Sequence, residues 1–148
     1  MSDLLYNKKA GFNYEISDTL VAGIELLGFE VKSLRAKQGS LDGSYVTVRG
    51  GEAFLVGAQI PPFQQNNTPK EYVPRRERRL LLTKREIASL TGQKSKAGLT
   101  AVPISVYNVW RKIKVKIGLA RNKKKFDKRE IIKKRDINRD IRREFKEH

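Results

Sequence analysis

Asp136-Ile137-Asn138-Arg139-Asp140 carries the oxygen ligands of the first five positions of a calcium loop, Asp-x-Asn-x-Asp. Ile141 stands where such a loop requires glycine and Arg139 lies among the ligands, so the match is a coincidence. Gly92-Gln93-Lys94-Ser95-Lys96-Ala97-Gly98 has the composition of a phosphate cradle but not its order, and it reads as a loop between a helix and a strand. The chain has no cysteine, which excludes disulfides, thiolate zinc sites and a Cys nucleophile. Its single histidine, His148, is the last residue, where fraying is expected, so a triad or an imidazole metal site has no support. Carboxylates in residues 1–120 mostly neighbor bases, and no pair stands out as an acid–base couple. No catalysis, metal or cofactor is expected.

The residues that can do chemistry are those that bind phosphate and stack on bases. Asn7-Lys8-Lys9-Ala10-Gly11-Phe12 puts two lysines beside an aromatic on what reads as an extended arm. Lys8 and Lys9 can meet phosphates while Phe12 stacks on a base, the usual combination for single-stranded or looped RNA. Gly28 to Lys37 sets Lys32, Arg35 and Lys37 around the one acid Glu30, although an ordinary amphipathic surface helix has the same pattern. Lys plus Arg total 32 against 16 Asp plus Glu, a net charge of +16 that attracts polyanions.

The charge divides the chain. Residues 1–120 carry +9 and residues 121–148 carry +7. A globular body over 1–120 followed by a basic tail over 121–148 is the expected organization. In the body, Ser44–Arg49 and Glu52–Ala58 flank Gly50-Gly51 as a hairpin. Leu99–Tyr107 and Lys112–Ile117 form a second β pair, the latter with isoleucine and valine on one face and lysines on the other. Pro103 marks an edge or a bulge. Tyr14 to Leu27 reads as a long bent strand. One helix is expected from Phe29 to about Lys37, and another from the Thr83 cap, with Glu86 closing a capping box, to just before Gly92. Gln64 to Arg79, with Pro69, Pro74 and the Arg75-Arg76-Glu77-Arg78-Arg79 cluster, reads as loop. Five or six short strands with a few helices point to a small barrel.

On a helical wheel, Ile131, Ile137, Ile141 and Phe145 of the tail share a sector of roughly 120°. Lys128, Arg135, Arg139, Arg142, Arg143 and Lys146 fill about the next 100°. Like charges repeat at i, i+4, which weakens an isolated helix, so this one is expected to form over about 130–146 when phosphates meet its basic face. The N-terminal stretch has no basic region followed by an apolar run, and no segment reaches the roughly 20 apolar residues of a membrane span. A soluble, cytoplasmic protein is expected.

Taken in order, the segments resemble the SmpB family, small protein B, the tmRNA-binding (SsrA-binding) proteins of bacterial trans-translation. The matching stretches include Asn7-Lys8-Lys9-Ala10, Ala22-Gly23-Ile24 and Glu30-Val31-Lys32-Ser33-Leu34-Arg35-Ala36. They continue through Ser44-Tyr45-Val46, Gly51-Glu52-Ala53-Phe54-Leu55, Arg78-Arg79-Leu80-Leu81-Leu82, Lys84-Arg85-Glu86, Lys114-Val115-Lys116 and Asp127-Lys128-Arg129. The resemblance implies an OB-fold-like antiparallel β-barrel with flanking α-helices and a C-terminal tail that becomes helical on the ribosome. It also implies the tRNA-like domain of tmRNA as partner, delivered alanine-charged with elongation factor Tu to stalled ribosomes for rescue and tagging, without catalysis or a membrane.

By position, Asn7, Lys8, Lys9, Phe12, Glu30, Lys32, Ser33, Arg35 and Lys37 would belong to the tmRNA face. Glu30 would accept from a 2′-hydroxyl or a base amino group. Lys123, Lys124, Phe126, Asp127, Lys128, Arg129, Lys133, Lys134, Arg135, Arg139, Arg142 and Arg143 would carry the tail into the small-subunit decoding center and the empty mRNA channel. Gly11-Phe12 stands where the family usually has Arg-His, and Asn122 where a glycine is common. The alternative from another class is a generic RNA-binding or ribosome-associated protein on the same barrel; a polybasic membrane-surface protein is disfavored by the lack of a broad apolar face.

Overall fold

The computed structural model describes residues 2–64 and 68–122. The tail helix expected over 130–146, and every tail contact from Lys123 to Arg143, lie outside the described residues. The elements run β1 (Ser2–Tyr6), α1 (Lys8–Asn13), β2 (Tyr14–Ile24), α2 (Gly28–Arg35), β3 (Tyr45–Arg49) and β4 (Glu52–Val56), then β5 (Arg78–Leu81), α3 (Lys84–Ala97), β6 (Thr100–Val109) and β7 (Lys112–Asn122).

The strands form one antiparallel sheet that closes on itself. Its order is β1-β6-β3-β4-β5-β2-β7, and β7 pairs back onto β6, so six strands make a ring and β1 lies outside it along β6. The expected β3–β4 hairpin turns through Gly50 and Gly51, both at positive φ, with Arg49 opposite Glu52. Along β7, Ile113, Val115 and Ile117 are buried while Lys112 and Lys116 are exposed, as the alternation predicts. The alternation then stops. Gly118, Leu119 and Ala120 are all buried: Leu119 joins the core, Ile16 and Ile104 close over Gly118, and α1 packs Ala10 against Val102 and Ala120. Pro103 does sit at a bulge, between Pro103 and Ser105 in the β6–β7 register. β2 is long enough to pair with β7 from Tyr14 to Gly23 and with β5 through Gly23 and Ile24. Leu34, Val46, Leu55, Leu80, Val115 and Ile117 fill the center, each almost wholly removed from water.

Three local expectations are corrected. Residues 8–13 are a helix, not an extended arm. Helix α3 does not stop before Gly92 but continues to Ala97 and ends at Gly98 in the left-handed conformation. An interior glycine costs about 1 kcal/mol against alanine, and here it is outweighed by a capping box at Thr83 and Glu86 and a terminating Gly98. The loop expected over 92–98 is therefore mostly helix. Finally, Arg78 and Arg79 begin strand β5 rather than ending a loop.

The turn after α2 is fixed by Gly39, at φ +133. A Cβ there would stand 2.8 Å from the Gln59 carbonyl oxygen. Ser40 and Gln59 exchange two backbone hydrogen bonds of 2.9 Å at the same place. Gly39→Ala should therefore lower stability by about 1–3 kcal/mol, read as a lower urea midpoint; an unchanged midpoint would show that the turn can relax.

Candidate RNA interface

Asn7 builds the first part of the interface. Its Oδ1 accepts from the Ala10 N–H at 3.3 Å and caps α1. Its Nδ2 donates to the Pro103 carbonyl at 2.9 Å, and its own N–H donates to the Ile104 carbonyl at 2.8 Å. Asn7 is buried with these bonds made, so it holds α1 on β6 and is not placed to read RNA. The helix it caps presents Lys8 and Lys9 to solvent and leaves Phe12 half-buried. Lys9 Nζ lies 3.7 Å from Asp42 Oδ2, a solvated pair worth at most about 1 kcal/mol. Lys8, Lys9 and the 39–42 turn enclose a cleft of about 330 Å³ at the end of β1.

Helix α2 supplies the second part. Its inward face, Glu30, Ser33 and Leu34, is buried, and Lys32 and Arg35 point outward at helical spacing. Lys37 follows at φ 59, also exposed. Ser33 Oγ donates to the Pro61 carbonyl. Arg35 Nη2 donates to the Arg111 carbonyl at 2.9 Å, which ties α2 to the β6–β7 turn. Ser2 of β1 pairs with Asn108 at that turn, and Tyr6 pairs with Ser105 toward α1. Cations of α1 thus follow one end of β1, and the Arg35–Arg111 contact stands near the other.

Glu30 is the main correction. Its side chain is fully buried, so it cannot accept from a ribose or a base. Oε1 accepts from the Leu27 N–H at 2.7 Å and from Arg76. Oε2 accepts from Arg78 Nε at 2.8 Å and Arg76 Nε at 3.1 Å. The Tyr72 hydroxyl lies 2.8 Å from both that oxygen and the Ile60 carbonyl, and its single proton serves one of them. Arg78, also fully buried, donates in addition to the carbonyls of Ala58, Pro74 and Arg76. Burial pushes the Glu30 carboxyl up, but the Arg76 and Leu27 hydrogen bonds, the Arg78 charge and Tyr72 outweigh it and hold the carboxyl below its usual value. Burial and the bond to Glu30 push the Tyr72 phenol up to about 12.

The network ties α2 to the segment between β4 and β5, and it explains where the Arg75–Arg79 cluster goes. Arg78 is internal, Arg76 is partly exposed and Arg75 is exposed. Arg79 lies 3.0 Å from Glu25 and 3.4 Å from Glu52, and Arg49 pairs with Glu77. Of the expected face, Lys8, Lys9, Lys32, Arg35 and Lys37 are accessible, whereas Asn7, Glu30 and Ser33 support them from below.

Sequence reasoning missed a second surface. Tyr6, Val21, Ile104, Tyr107 and Lys116 line a cleft of about 440 Å³ on the outer side of β1, β6, β7 and β2. Aromatic faces beside an ammonium suit a stacked base. No local signal reveals it, because its residues come from four strands. Among the described residues, no group of three His, Cys, Asp or Glu could hold a metal, and no helix is long and apolar enough to cross a membrane.

Comparison with known proteins gives one consistent result. The family model described as SmpB protein matches residues 4–147. The SsrA-binding protein of Elusimicrobium minutum (strain Pei191) is 50% identical over 142 residues, covering 95% of this chain and 88% of the relative. That of Chlorobaculum tepidum is 47% identical over 143 residues, with coverages of 96% and 90%. A chain of the solved structure described as "tmRNA-SmpB: a journey to the center of the bacterial ribosome" superposes with a TM-score of 0.67 at 42% identity. The match covers 81% of this chain and 84% of that one.

Proposed function

This chain belongs to the SmpB family, and from that premise we propose that it binds tmRNA and acts with it on the ribosome in trans-translation. The family is one of RNA-binding proteins, not enzymes. The observation that carries the reading is the set of exposed cations on and beside two helices held by buried polar anchors, Lys8 and Lys9 on α1 and Lys32, Arg35 and Lys37 on or just after α2. In this reading the antiparallel ring is an oligonucleotide-binding type of barrel, and these cations meet the tRNA-like domain. Phe12 stacks beside Lys8 and Lys9. Residues 2–122 are the RNA-binding body. The tail enters the decoding center and the mRNA channel through Lys123, Lys124, Lys128, Arg129 and the arginines beyond. Elongation factor Tu brings the alanine-charged complex, and the process is cytoplasmic.

The test is binding to the tRNA-like domain of tmRNA and to an ordinary transfer RNA at two salt concentrations. Preference for the tRNA-like domain at both salts is expected. Equal binding to the ordinary transfer RNA at both salts would reduce the protein to a generic RNA binder. The Lys8→Ala/Lys9→Ala double variant should bind more weakly and flatten the slope of log affinity against log salt by roughly 1.5, two phosphate contacts' worth. An unchanged slope would remove α1 from the interface.

A further inference from the structure

The turn between β6 and β7 carries the chain's only tryptophan. Val109 and Lys112 pair across it, leaving Trp110 and Arg111 as a two-residue loop. Trp110 has φ 57, at the first central position, where hairpin turns with positive φ favor Gly, Asn or Asp. Its indole recovers none of that cost by packing, because it is 92% exposed. Beneath it, Asn108 Nδ2 donates to the Trp110 carbonyl at 2.9 Å, while Asn108 Oδ1 is buried without a hydrogen-bond partner. A strained, exposed aromatic and an orphaned acceptor meet at one turn. A turn shaped for stability would use glycine or asparagine, and costs of this kind persist where a site is served.

The surroundings indicate what the ring meets. Arg35 donates to the Arg111 carbonyl, so the turn is fastened to α2 near the Ser2 end of β1. Arg111, Lys112 and Lys32 are exposed as well. A lipid surface would call for a broad apolar face around the indole, whereas Val109 alone precedes it and the exposed Arg111 and Lys112 follow. An aromatic plane beside guanidinium and ammonium groups matches a base and its flanking phosphates.

We propose that Trp110 is a stacking platform for an unpaired base of the bound RNA, with Arg35 and Arg111 meeting the adjoining phosphates. This rests on the RNA-binding reading above and extends that surface to the β6–β7 turn. Because Trp110 is the only tryptophan, its emission reports on its own contact.

The full chain is titrated with the tRNA-like domain of tmRNA, following gel mobility and tryptophan emission together. Emission should be quenched in step with the mobility shift. Trp110→Gly should keep or raise the thermal midpoint yet bind about tenfold more weakly, and Trp110→Tyr should recover most of the loss. A normal shift with unchanged emission, and Trp110→Gly binding like the parent, would overturn the platform and leave the RNA-binding reading standing. Absence of any shift would overturn both. A Trp110→Gly protein that loses midpoint and affinity together would make Trp110 a folding residue. Blue-shifted emission on phosphatidylglycerol vesicles, with none of the RNA response, would assign the ring to lipid instead.

Discussion

Replacing Glu30 by alanine should cost the fold about 3–5 kcal/mol, because Arg78 is left as a buried charge without its carboxylate. Glu30→Gln keeps the shape and some of the hydrogen bonds but leaves the same buried Arg78 charge, and should cost about 3 kcal/mol, the lower end of that range. Both appear as lower denaturation midpoints. The tmRNA affinity of the protein that remains folded should change little, since the carboxylate faces the interior. A normal midpoint with weakened tmRNA binding would return Glu30 to the role of a direct reader. The same network sets the pH limits. The Glu30 carboxyl is depressed in the fold, so its contribution is present above the unfolded value near 4.5 and fades as pH falls through the folded one. The Tyr72 phenol is raised to about 12, so its contribution is intact below its ordinary value of 10.0 and is lost between there and about 12. Tyr72→Phe should remove that alkaline loss; a variant that loses stability over the same alkaline range would show another group to be responsible.

Ending the chain after Asn122 should separate two activities. Affinity for tmRNA should stay within about tenfold, or 1.4 kcal/mol, while tagging on stalled ribosomes is abolished. Loss of tmRNA binding would show that the tail shares in that contact. The cut belongs at Asn122 and not at Ala120, where the charge change places it. Arg121 and Asn122 still pair with Glu15 and Tyr14, directly beside the end of α1. Removing them would loosen the helix that carries Lys8 and Lys9.

What was legible in the sequence was local. The Gly50-Gly51 hairpin, the alternation of β7, the Thr83 cap and the bulge at Pro103 all depend on neighbors within a few residues. The misreadings come from partners far along the chain. Asn7 looked like part of an arm because its anchor, Pro103, is remote in sequence, although an asparagine three residues before Ala10 is a cap signal in its own right. β1 escaped notice because Leu4 and Leu5 are both buried, a bulge between Asp3 and Leu5 having broken the alternation. Arg78 looked like surface because a buried arginine is recognizable only with its carboxylate, and Glu30 lies 48 residues earlier. The family resemblance places Glu30 on the RNA face, and only the fold brings it Arg76 and the buried Arg78, 46 and 48 residues later. Lys8, Lys9, Lys32 and Lys37 need no partner to be read as surface residues, and all four are exposed.

The closure of the ring by β7 also dictates the order in which the molecule can be made. β7 is the last of the described strands to be synthesized, and it joins β6 to β2 by pairing as remote as Tyr14 with Asn122. Such distant pairing is slow to form. Until Lys112–Asn122 has emerged, both β6 and β2 present a row of unpaired amides and carbonyls, each a template for another chain. A copy of this protein whose own translation halts before Lys112 is therefore an open, adhesive sheet, with the inner edges of two strands free to recruit a neighbor.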